Sequence, residues 1–83
     1  MKAWLRRRRE IRRLRREEDH ARDRFFRAQY AYQDIAVVLG SEPGAWADHG
    51  PVGQAQAEVQ ESIDDLKRAQ RDLRRAEQVG HIA

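Results

Sequence analysis

The stretch IRRLRREEDHARDRFFRAQYAYQDIAVVL, Ile11–Leu39, decides the fold. Extended one repeat toward the N-terminus, it carries a series spaced by seven: Trp4, Ile11, Glu18, Phe25, Tyr32 and Leu39. A companion series, Arg7, Leu14, Ala21, Ala28 and Ile35, sits between those positions, and only Glu18 and Arg7 are neither apolar nor small. A seam repeating every seven residues predicts a helix supercoiled left-handedly around a partner helix. No Gly or Pro interrupts residues 2–39, and Gly40 follows where a left-handed C-terminal cap belongs.

Beyond that helix the chain changes character. The connector GSEPGAWADHGPVG, Gly40–Gly53, holds four of the five Gly and both Pro, so it reads as a loop. Ser41 and Pro43 can start a short turn reaching Trp46. The Trp46 ring is expected to cover the open end of the hairpin against Val38 or Val52, with its indole N–H left to water. Residues 54–83 read as the second helix and a short tail. The helix starts at Pro51 or Gln54, runs to about Val79 and stops at Gly80. Its seam is Ala55, Val59, Ser62, Leu66, Ala69, Leu73 and Ala76, alternating small and large. Small residues seven apart let a bulky facing helix approach closely, and Phe25, Tyr32 and Ile35 are natural fillers.

The expected fold is all-α: an antiparallel two-helix coiled-coil hairpin forming one domain. Its core is Ile11, Leu14, Phe25, Tyr32, Ile35 and Leu39 against Val59, Leu66 and Leu73. A parallel coiled-coil dimer is the main rival; the Gly/Pro-rich connector and the small-against-large seams favour the hairpin. Folding back at the connector sets Leu39 near Ala55, Phe25 near Leu66 to Ala69, and Leu14 near Val79. That register leaves the first ten or so residues overhanging, with residues 1–16 forming a basic N-terminal segment.

Composition narrows the function classes. Eighty-three residues support one small core, whose folding alone is marginal. There is no cysteine, which excludes disulfides and thiolate metal sites. No apolar stretch follows the basic start, so a secretory signal is not expected, and Ile35–Leu39 is too short to span a membrane. The expected location is the cytoplasm or the interior of a virion or nucleoprotein assembly. His20, His49 and His81 have no ligand-like spacing, and Asp48 with His49 lacks the cleft a catalytic site needs, so neither a metal, a cofactor nor an enzymatic activity is expected. Glu18 stands at a seam position and is expected to pair with Arg74 or Arg75.

Two features point to partners. The net charge of +3 hides an excess at one end: residues 1–16 carry nine Lys/Arg and one acid, Glu10. Arg6, Arg7, Arg8, Arg9, Arg12, Arg13, Arg15 and Arg16 are the candidate polyanion-binding residues. The planar guanidinium can engage two phosphate oxygens at once, and several such contacts give salt-sensitive binding without sequence preference. In layout, a basic stretch ahead of a heptad seam resembles basic-leucine-zipper proteins. The Asn and paired Ala with which those proteins read bases are absent, so backbone contact without base readout is expected. The other feature is a second apolar stripe, Phe26, Tyr30 and Val37, which one partner helix cannot cover along with the seam. Together with Ile63 on the second helix and Trp4 and Leu5 at the N-terminal tip, it is the candidate protein interface. The functional expectation is a non-enzymatic structural protein that contacts nucleic acid and docks to protein or to a second copy. The alternative is an adaptor or regulator gripping an acidic groove of a partner protein.

Overall fold

The computed structural model describes residues 2–82, and the side-chain surroundings of residues 2–78. Met1 and Ala83 lie outside the described residues. The chain forms two helices, α1 (Lys2–Leu39) and α2 (Pro51–Ile82), and no strand among the described residues. Cross-helix neighbours run in opposite order. Tyr32 lies by Gln56 and Val59, Arg24 by Glu58, Glu61 and Asp65, and Leu14 by Asp72, Arg75 and Ala76. The helices are therefore antiparallel, forming a rod of 62 × 15 × 15 Å.

The heptad seam lies along the contact between the helices, except at Trp4, which is exposed. Leu14 and Ala28 are buried, and Ile11, Phe25, Tyr32, Ile35, Leu39, Val59, Leu66 and Leu73 are all half-buried. Ser62 is fully buried, its hydroxyl donating to the Val59 carbonyl of its own helix at 2.7 Å. Two helices cannot enclose much. Among the described residues only Val52 and Ser62 are side chains with less than 2% exposure. The accessible surface is 6770 Å², where a compact monomer of this mass has roughly 5,200 Å².

The register differs from expectation by about one turn. The second helix begins at Pro51 rather than Gln54 and continues through Gly80 to Ile82. Its pairing slides accordingly, so Leu14 is level with Asp72–Ala76 rather than with Val79. Counting one residue for one along antiparallel helices sets the end of α2 near Arg6. The expected ten-residue overhang shrinks to about one turn, carrying Trp4 and Leu5. The arginines from Arg7 onward run beside α2.

The connector also folds differently. Gly40 still donates to Ala36 O at 2.9 Å and does not take the left-handed conformation; that belongs to Gly44, at φ 76°. Four-residue turns follow, with Glu42 donating to Leu39, Ala45 to Glu42, Ala47 to Gly44 and Gly50 to Ala47. The Ala45 carbonyl then accepts from Val52 and Gly53, tying the loop to the first turn of α2. Gly53 is required there, since a Cβ would stand 1.9 Å from Ala47 O. Trp46 does not cover Val38, which stays exposed. It stands edge-on to Tyr32 at 6.4 Å, and its indole N–H donates to Gly40 O at 2.8 Å rather than to water.

Candidate functional site

At ~100° per residue, each helix has two flanks beside its seam. On α1, Glu10, Glu17 and Arg24 project to one flank, and Arg8, Arg12, Arg15, Asp19 and Arg22 to the other. Phe26, Tyr30, Gln33 and Val37 continue that second flank toward the connector. On α2, Glu58, Asp65 and Asp72 take one flank, and Gln60, Lys67, Arg71 and Arg74 the opposite one. A set of ion pairs fixes which flanks meet. Arg24 contacts Glu58 at 2.9 Å, Glu61 at 3.6 Å and Asp65 more closely. The acidic flank of α2 therefore lies on the Arg24 side of the hairpin.

That side is internally neutralised. Arg13 is held between Glu10 and Glu17 at 3.6 and 3.8 Å, and Arg68 lies 3.6 Å from Asp65. Arg7, Glu10, Arg13 and Leu14 of α1 line a shallow cleft of about 370 Å³ with Asp72, Arg75 and Ala76 of α2. The hydrogen bond that Arg24 donates to Glu58 raises the Arg24 pKa; desolvation opposes it, and the nearby carboxylates add to the rise. A raised basic pKa keeps Arg24 charged at and above neutral pH up to strong alkali, so its ion pairs persist there and it acts as a register pin. Sequence reasoning did not foresee this pin. Its signal was the acidic spacing Glu58, Glu61, Asp65 on one helical flank.

The expected arginine cluster is thus divided by the fold. Arg13 is held by Glu10 and Glu17 of its own helix, and Arg7 lines the cleft beside α2. Arg8, Arg12 and Arg15 point to the other side, and Arg6, Arg9 and Arg16 are also exposed. None of these six lies within 4.0 Å of a carboxylate among the described residues, whereas Arg13, Arg22, Arg24, Arg27 and Arg68 do. Arg8 sits over the Trp4 ring at 4.6 Å, a cation–π contact that restrains the exposed indole. Glu18 pairs with Arg22 on its own helix, not with Arg74 or Arg75. The i,i+4 spacing satisfies the semi-buried carboxylate locally before any residue of α2 is needed.

No family model, curated protein or solved structure matches the chain.

The candidate protein interface is exposed. Tyr30 is 65% and Val37 86% accessible, with Phe26, Trp4 and Leu5 about half so and Ile63 half-buried. Phe26 packs only loosely, its ring 5.7 Å from Phe25. Val38, which the sequence reading did not select, is also bare. His20 and His49 are exposed on α1 and in the connector, and the side chain of His81 falls outside the described residues. Among the described residues no three His, Cys, Asp or Glu groups are placed to share a metal, and no helix is long and apolar enough to cross a membrane.

Proposed function

We propose that this hairpin is a non-enzymatic architectural protein of a nucleoprotein or virion-like assembly, binding nucleic acid through its sugar–phosphate backbone. One observation carries the reading: six arginines of α1's first sixteen residues, Arg6, Arg8, Arg9, Arg12, Arg15 and Arg16, project without a carboxylate partner among the described residues, while Glu10, Glu17, Glu58, Glu61 and Asp65 are engaged by Arg13 and Arg24. Free guanidinium groups exchange counterions for phosphates at little desolvation cost, so binding is strong at low salt and indifferent to sequence. The test is fluorescence anisotropy on two DNA duplexes of unrelated sequence over a range of salt. Both should bind with similar affinity and a steep, linear fall of log affinity with log salt. Absence of binding at low salt, or a marked preference for one duplex, contradicts the proposal.

The stripe of Phe26, Tyr30 and Val37 serves the same assembly as a protein-docking surface, in this proposal a second copy of the chain. The large accessible surface for so small a mass supports it, since a bundle of four helices would cover what two cannot. Sedimentation at high protein concentration should give a dimer, and Phe26→Asp/Val37→Asp should give a monomer. A wild-type monomer would remove the self-association.

A further inference from the structure

We infer that the nucleic-acid surface is not the basic N-terminal segment alone but a broad face built by both helices, with Lys67, Arg71 and Arg74 of α2 as its second row, and that it fits a duplex. The inference rests on the polyanion reading above and deepens it. Lys67, Gln70, Arg71 and Arg74 line one shallow cleft on α2, and none of the three cations is within 4.0 Å of a carboxylate among the described residues. They occupy the α2 flank opposite Glu58 and Asp65. Because Arg24 places those acids on one side of the hairpin, the second row falls on the other side, the one to which Arg8, Arg12 and Arg15 project. The rows overlap at one end: Leu14 faces Asp72–Ala76, so Arg74 stands beside Arg15 and Lys67 near Arg22, while Arg8 and Arg12 continue the α1 row past the α2 row.

The α1 row from Arg8 to Arg22 is about 21 Å long at ~1.5 Å per residue. Arg22 is partly engaged by Glu18, and Asp19 is the one acid within it. The two rows stand at least one interhelical distance apart, roughly 8–10 Å. Two separated lines of charge suit a duplex, which presents phosphates on two strands. A single strand needs one charged track with aromatic platforms inside it. No aromatic residue lies between these rows; Phe26 and Tyr30 begin only where the basic stretch ends. A lipid surface would require apolar groups interleaved with the cations so that the helix could sink its apolar face, and these rows have none.

The test compares four proteins on one DNA duplex: wild type, Lys67→Ala/Arg71→Ala/Arg74→Ala, Arg8→Ala/Arg12→Ala/Arg15→Ala, and Arg27→Ala/Arg68→Ala/Arg75→Ala. The last removes the same charge from the outer edges and controls for net charge, and circular dichroism confirms that each remains helical. The α2 variant should lose at least tenfold in affinity and about 2–3 from the salt slope, at ~0.9 per lost phosphate contact; the edge variant should lose much less. If the α2 variant binds like wild type, or no worse than the edge variant, while the α1 variant is weakened, the second row is wrong and the polyanion reading stands. If wild type does not bind, or the α1 variant binds like wild type, the underlying reading itself fails. Tighter binding to a single strand of the same sequence, or to phosphatidylserine vesicles in place of DNA, overturns the duplex assignment.

Discussion

Replacing Arg8, Arg12 and Arg15 by Ala should reduce affinity for duplex DNA on the order of a hundredfold near 0.1 M salt, since each phosphate contact adds about 0.9 to the salt slope. The loss should shrink as salt rises, because the wild type loses its advantage with its counterions. Helix content should not fall. Arg12 and Arg15 contact no acid, Ala is the better helix former, and the like-charge spacing Arg8/Arg12 is relieved. Only the Arg8 contact with Trp4 is given up. Anisotropy at several salt concentrations reads affinity and slope together. An unchanged slope would show that these guanidinium groups do not meet phosphates.

Ser62→Phe should be the most damaging single change to the fold. Ser62 is wholly buried, and the residues flanking it, Glu58, Glu61 and Asp65, surround Arg24, so Ser62 lies level with Phe25. A second ring has no space there unless the helices part. Overpacking of this kind costs about 3 kcal/mol at the upper end, a large share of the few kcal/mol available to so small a core. The melting temperature should fall by roughly 12–24 °C. Ser62→Ala should change stability by about 1 kcal/mol or less, because the hydroxyl bonds only within its own helix. A thermal melt followed by circular dichroism distinguishes the pair. If Ser62→Phe melts with wild type, the helices do not close at this level.

The contrast between those two predictions matches what could be read from the chain. The seam was legible because burial follows a seven-residue period that any partner helix must respect. Ile11, Leu14, Phe25 and the rest sit inside for that reason, and the bare Phe26, Tyr30 and Val37 fall outside it. The register was less legible, since it depends on where α2 begins, and Pro51 gives it an extra turn. Whether Gly40 or Gly44 would take the left-handed conformation was set by the string of turns through Glu42, Ala45 and Ala47. The two faces were not legible at all. Nothing in the spacing of Arg71 and Arg74 says whether they share a side with Arg12 or with Glu17. That is decided by which way α2 returns beside α1, and the Arg24 cluster with Glu58 and Asp65 reveals it.

The segregation of charge between the two sides of the rod is tested most directly by titrating the isotopically labelled protein with a short DNA duplex and following its NMR shifts. The perturbed residues should gather along Arg8, Arg12 and Arg15 and, across the seam, along Lys67, Arg71 and Arg74. Shifts centred on Glu58, Glu61 and Asp65, or spread evenly around both helices, would contradict a two-faced hairpin that presents one side to phosphate.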